Sequence, residues 1–343
     1  MTQKKKIGMG LLVLVLILLC ALGAGYLRYR RSPAYALTMA AEAVEKHDWG
    51  TFQKYVDTQR VLGRFYQDAV QDTLGRSDFT PAMQQVGQQM AAAMKPHVLD
   101  RLEYLVRSYV EQGQVNPETV PKEEGSLVNP VPYRMLGGLA VLTGKARTTV
   151  EGNRASVTAS VHDDRLNKDF PIVIAMEKDE AGIWRAVAWE NAAQVMAEWR
   201  QEEAAALAAL NAPIEERLSA LWETESLSGQ AEPADALGLT QQLRFRLSGK
   251  VRSGKPVREI DGTVTCRTPD GAAVTAAFSQ QGAGLAGETV TWEMARELSP
   301  FVQSDAAVAR ASASSLIWDV KITRVVFTDG ESVALYTQLP EKK

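Results

Sequence analysis

The chain has 343 residues, 45 % of them hydrophobic and 23 % charged, the balance of ordinary globular protein with length for two domains. Its net charge is −3, yet the first 31 residues hold three Lys, three Arg and no acid, which leaves −9 for the remainder. So acidic a body is a poor partner for nucleic acid, whose affinity comes from Lys and Arg neutralising phosphates. Two cysteines, Cys20 and Cys266, exclude a disulfide-dense secreted scaffold.

In chain order the first element is 7–27, 21 residues without a charge, bracketed by Lys4–Lys6 and by Arg28, Arg30 and Arg31. As a helix it would cover about 31 Å, close to the thickness of the bilayer's hydrocarbon core. Leu11–Leu19 is Leu, Val and Ile throughout, with no amphipathic period. The expectation is a transmembrane anchor, with 1–31 as cytoplasmic tail plus anchor, the lipid bilayer as its partner through 7–27, and the bulk of the chain extracytoplasmic at the cell membrane. Two rivals remain. A cleaved signal peptide has a shorter apolar core, and Ala21 and Gly23 offer a cut site. A lipoprotein would need a small residue before Cys20, where Leu19 stands.

Helices follow over 33–112. Ser32 with Pro33 reads as N-cap and first helical position, and Leu37, Ala40, Ala41 and Val44 recur at helical spacing. Asp48 caps a second helix with Trp49, Phe52 and Val56 as its stripe, which continues or restarts through Val61, Leu62, Phe65 and Val70. Thr80-Pro81 opens a third, with Met83, Val86, Met90 and Met94 as a buried face, and Pro96 begins or kinks a fourth. The proline-rich stretch 114–133 reads as a long loop or lid.

A sheet is expected over 139–190, a meander of four alternating runs. In the fourth run the buried face is ambiguous, because Ile183, Arg185, Val187 and Trp189 alternate with Trp184, Ala186 and Ala188. Helices return over 192–222, capped by Asn191 and broken near Asn211 and Pro213. Together 32–223 makes an α+β domain. Residues 224–238 are small, polar and proline-containing, the composition of a linker. From 239 to 340 the period is two, with turns at Pro269-Asp270-Gly271 and Thr328-Asp329-Gly330, which predicts an all-β Ig-like sandwich.

Two resemblances rest on these residues. The stretch S-P-A-Y-A-L…A-V-E-K-H-D-W…F-Q-K-Y-V-D at 32–57 resembles the opening of an uncharacterised bacterial family of membrane-anchored proteins, a domain of unknown function. That resemblance implies helices followed by an antiparallel sheet, similar to a nuclear-transport-factor-like cone. The stretch L-R-F-R-L…G-K-P-V-R-E-I-D-G-T-V…P-D-G…G-E-T-V-T-W…V-V-F-T-D-G is similar to Ig-like accessory domains of envelope proteins, with Ser253-Gly254 where an Asn is usual. Both imply place and fold and carry no catalytic set.

The residues themselves give little chemistry. His47, His97 and His162 have no second ligand at metal spacing. His162-Asp163-Asp164 is either a solvated turn or a cation site. Glu202-Glu203 and Glu215-Glu216 are adjacent pairs that do not face each other on a helix, and Glu215-Glu216 after Pro213 suits a helix N-terminus. Gly282-Ala283-Gly284 reads as a loop between strands, and Cys266 as a buried small hydrophobe. Trp184, Trp189 and Trp199 gather at the sheet-to-helix junction, as helix anchors or as the wall of a cone pocket. The expectation is therefore a non-catalytic binding or scaffold protein at the bacterial envelope, with no cofactor, no metal and no nucleic acid, and with an envelope protein as possible partner. The alternative is a small-molecule receptor that uses the cone pocket.

Overall fold

The structure is a computed structural model that describes residues 29–114, 142–235, 240–284 and 287–340. The expected anchor, 7–27, and nearly all of the expected loop at 114–133 lie outside them. Among the described residues no helix is long and apolar enough to cross a membrane. They form six α-helices and eleven strands, and every ladder is antiparallel.

The chain divides into two compact units. The first holds residues up to Gly75 and Gln89–Trp199; the second holds Arg76–Gln88 and everything from Arg200. This differs from the boundary expected after residue 223. Two long helices, α4 (Pro81–Gln112) and α5 (Ala192–Ala220), each have residues in both units, and each runs through an internal proline, Pro96 and Pro213.

In the first unit, α1 (Pro33–Glu45) starts as its sequence dictates: Ser32 Oγ accepts from Tyr35 N at 3.2 Å with Pro33 in the first turn. In α2 (Trp49–Tyr55) the Asp48 carboxylate accepts from Thr51 N at 2.9 Å. A separate α3 (Thr58–Arg76) follows. β1 (Leu142–Glu151), β2 (Arg154–Asp163), β3 (Lys168–Lys178) and β4 (Trp184–Trp189) pair in sequence order as one meander. One face is buried: Ala155, Val157 and Ala159 of β2, Phe170, Ile172 and Met176 of β3. α1 covers one part of that face, and α3, α4 and the start of α5 cover the rest.

Three local expectations change here. Val86 and Met90 of α4 are exposed by 44 % and 48 %; the buried stripe is Ala91, Val98, Leu102 and Leu105. The Tyr66 hydroxyl of α3 donates to the Ala91 carbonyl at 2.8 Å. The side chain of Asn191 is not an N-cap. Its Oδ1 accepts from Val173 N (2.8 Å) and Trp189 Nε1 (2.9 Å), and its Nδ2 donates to Pro171 O (2.9 Å), so it ties the start of α5 to the sheet. Glu215-Glu216 has no helix N-terminus to serve, because α5 is continuous through Pro213.

The second unit has two sheets, β5-β6-β9 and β11-β10-β7-β8, built from β5 (Trp222–Pro233), β6 (Gln241–Val251), β7 (Val257–Arg267), β8 (Ala273–Gly284), β9 (Thr289–Leu298), β10 (Ile317–Phe327) and β11 (Ser332–Ala334). One apolar core joins the two, with Leu243, Phe245 and Trp292 from the first sheet and Ile260, Val264, Cys266, Phe278 and Val325 from the second, an arrangement compatible with a β-sandwich.

Most of the expected linker, 224–233, is instead strand β5, paired along β6 from Trp222↔Val251 to Pro233↔Gln241. At one inward position, Gly229, the residue must be small. A Cβ on Gly229 would sit 2.7 Å from Phe245 Cβ and from the Trp318 ring. The strand's proline stands at its end, on a sheet edge, where the missing donor costs nothing. Gly282–Gly284, expected as a loop, close β8.

A helix α6 (Gln303–Arg310) lies between β9 and β10. No side chain of its own caps it; Asp78, far back in the sequence, accepts from Ser304 N at 2.9 Å, and the Asp78 carbonyl accepts from Gln303 N at 2.7 Å. Asn211 of α5 grips the chain end in the same manner, exchanging bonds of 2.9 and 2.8 Å with the backbone of Tyr336.

The tightest point of this core is Gly249. The Trp222 ring lies over it and stacks on Trp292 with centroids 5.1 Å apart. Gly249→Ala would drive a methyl into that ring, and overpacking of this kind costs about 1–3 kcal/mol. A urea titration followed by tryptophan fluorescence is expected to show the midpoint falling for Gly249→Ala and holding for Gly254→Ala, where nothing lies within 4 Å of the added atom. Equal midpoints would contradict the packing.

Candidate functional site

The three tryptophans are buried, and the structure does not gather them round one space. Trp184 belongs to the apolar cluster under α1, with Ala36, Leu37, Val157 and Met176; Trp189 and Trp199 belong to the cluster of α3, α4 and α5. Trp189 stacks on Phe65 at 5.5 Å. Each indole N–H is satisfied inside the protein: Trp184 donates to Arg31 O (3.0 Å), Trp189 to Asn191, and Trp199 to Asp163 Oδ2 (2.8 Å). They anchor helices to the sheet.

The register of β4 explains how both of its tryptophans reach one face. Ala186 pairs with Met176 and Ala188 with Ala175, which leaves Val187 as an extra residue. Trp184, Ala186 and Trp189 therefore lie opposite Lys178, Met176 and Ile174, all on one side of the sheet, although simple alternation puts Trp189 on the other.

The opposite side of the same sheet carries an open hollow of about 340 Å³. Thr149, Ser156, Ala175 and Glu177 line it from that side, with Arg154, Val187 and Glu190 around them. Glu177 is its most engaged acid, 2.8 Å from Arg60 and 3.6 Å from Arg154. The hydrogen bond from Arg60 first, and the positive charges of Arg60 and Arg154 with it, hold the Glu177 carboxyl below the usual carboxylate range. That is a ground-state anion at neutral pH, far from the poise a general acid or base needs.

In the second unit a wider hollow of about 640 Å³ opens between the β7–β8 turn and α6. Asp78, Asp270, Gln303 and Arg310 supply its polar groups. The nearby buried carboxylate, Asp305, faces the other way: it takes Arg296 at 3.0 Å and Ser299 N at 2.9 Å, a structural pair.

The remaining candidates have local roles. His162 Nδ1 lies 2.8 Å from Asp169 and its Nε2 3.6 Å from Asp164. Asp163 accepts from Arg165 N (2.8 Å), Leu166 N (3.0 Å) and Trp199, so the turn is organised by its own backbone. Among the described residues no group of three or more His, Cys, Asp or Glu is placed to hold a metal. His47 adopts positive φ and meets Val110 O, near the carbonyl end of α4, at 2.9 Å. His97 is exposed on α4. Glu215 pairs with Lys321 at 2.6 Å. Cys266 is buried in the second core, and burial pushes its thiol up to about 11, which keeps it protonated and inert at neutral pH.

No family model, curated protein or solved structure matches this chain.

Asp163 yields a pH test. Burial pulls its pKa up, but hydrogen bonds from Trp199, Leu166 and Arg165 and the Arg165 charge outweigh it, and the net shift is downward. A carboxyl lowered in the folded state stabilises above its unfolded pKa of about 4 and loses that contribution as pH falls through the folded value. Asp163→Asn is expected to lower the Tm at pH 7 and to flatten the further loss of Tm below about pH 4. An unchanged acid limb in the variant would contradict the assignment.

Proposed function

We propose that this chain is a single-pass, membrane-anchored protein of the bacterial envelope, whose two folded units stand outside the cytoplasm and serve contact, not catalysis. The observation that carries the reading is the uncharged run 7–27 between Lys4–Lys6 and Arg28. Its length suits the hydrocarbon core, and lysines at the extreme N-terminus favour that end inside.

The strand order supports an Ig-like module as the contact domain. β5-β6-β9 in one sheet and β11-β10-β7-β8 in the other make seven strands with crossovers between sheets after β6, β8 and β9. Seven strands divided between two sheets with crossovers of this kind are the observation that supports an Ig-like or fibronectin-like reading. The first unit, which opens with Ser-Pro-Ala-Tyr at α1 and lays its helices on one face of a meander, fits the membrane-anchored bacterial family it resembles. The partly or fully buried acids Asp163, Glu177 and Asp305 are held by structural partners. The second reading is a small-molecule receptor. The hollow of about 340 Å³ on the first unit favours it, being of the size of small ligand sites. Its site would then be the polar face with Thr149, Ser156 and Glu177, not the tryptophan face.

The placement is tested in cells that express the full chain. Carbonate-washed membranes are expected to retain it, and protease added to spheroplasts to digest it down to a small N-terminal fragment. Release by carbonate, or survival of the whole chain in spheroplasts, would overturn the reading.

A further inference from the structure

The shortest helix of the first unit rests on the buried cluster under α1 through Tyr55. α2 has no buried residue, although its sequence, WGTFQKY, is rich in aromatics. Trp49 and Phe52 stack with centroids 5.5 Å apart and both remain half-buried. From Trp49 through Phe52 to Tyr55 the rings occupy one arc of about 120° on the helix. That arc continues through space: Tyr55 meets Tyr35 edge-on at 6.4 Å, and Tyr35 meets Tyr29 at 5.5 Å. Tyr29 is 46 % exposed and stands two positions after the apolar run ends at Leu27. Cations accompany the rings. Arg30 lies over Tyr35 at 5.9 Å, Lys54 over Tyr55 at 5.5 Å, and Arg31 is exposed beside them.

We propose that this aromatic and cationic face, α2 with Tyr29 and Tyr35, docks into the headgroup layer of the bilayer beside the anchor. Tyrosine and tryptophan rings have an apolar body and a polar edge, which suits the boundary between hydrocarbon and water. Arginine and lysine at the same level meet lipid phosphates. The end of the apolar run fixes the occupant, because it brings this face to the membrane surface before any other part of the first unit. The inference rests on the proposed anchor and adds to it: the first unit lies on the membrane and does not hang from a free tether.

The test uses the full chain with Cys20→Ser, leaving only the buried Cys266, and a spin label at Gln53→Cys on α2. A second sample is labelled at Gln71→Cys, exposed on α3 about 20 Å further along that helix. Both are reconstituted in phosphatidylcholine–phosphatidylglycerol vesicles. Flotation after an alkaline wash reads the anchor, and collision with oxygen against a water-soluble nickel chelate reads α2. The chain is expected to float, and the label at position 53 to meet the chelate several-fold less often than the label at 71. Trp49→Ser with Phe52→Ser is expected to restore the chelate collisions at 53 while the chain still floats. A floating chain whose label at 53 is as open to the chelate as that at 71, or whose double variant changes nothing, overturns the docking face and leaves the anchor standing. A chain stripped from the vesicles by the wash overturns both.

Discussion

Val187 is one residue more than β4 needs to pair with β3, and the first unit is arranged around that excess. Because it bulges out of the ladder, Trp184 and Trp189 come to the same face of the sheet, five residues apart where alternation would divide them. With both rings inward, α1 packs on one and α3, α4 and α5 on the other. The inner face of the sheet is then filled by indoles whose N–H groups are all satisfied. The sheet's open hollow falls on the other side, among Thr, Ser and paired charges.

A cost of this order explains why the rings stay where they are. Truncating a buried tryptophan loses about 3–5 kcal/mol in transfer and cavity terms, a large share of the stability of any single domain. The second unit solves a related problem in another way. There Trp222 and Trp292 stack, Trp222 lies over Gly249, and β5 keeps a glycine at 229 so that Phe245 and Trp318 fit. In the second unit an aromatic ring thus dictates residues far from it in sequence.

This bears on how much the sequence disclosed. Caps written in neighbouring residues were legible: Ser32 with Pro33, Asp48 and the meander's turns stand where their chemistry puts them. The β-rich half was legible from its period of two. What failed were positions whose meaning is set by distant residues. β5 looked like a linker because its outward residues are polar and exposed and because Phe245 and Trp318 leave room only for a glycine at 229. Asn191 looked like a helix cap because nothing local announces Val173 and Pro171 as partners. The cap of α6 comes from Asp78, which no window of sequence links to Ser304. Met90 looked buried because period alone does not tell which of two adjacent stripes meets the neighbour. Of the proposed site, α2's aromatics were visible from the start, but that none of them is fully buried, and that Tyr55 rests on the cluster under α1, was visible only in three dimensions.

The central claim is that a bulge at Val187 puts Trp184 and Trp189 together inside. Hydroxyl-radical footprinting of the reconstituted full chain, read residue by residue by mass spectrometry, tests it most directly. The account requires both tryptophans, each 3 % exposed, to resist oxidation under conditions that oxidise Tyr104 of the same unit, which is 54 % exposed. Trp189 oxidised as readily as Tyr104 while Trp184 stays intact, the outcome of a strand that alternates without a bulge, would contradict it.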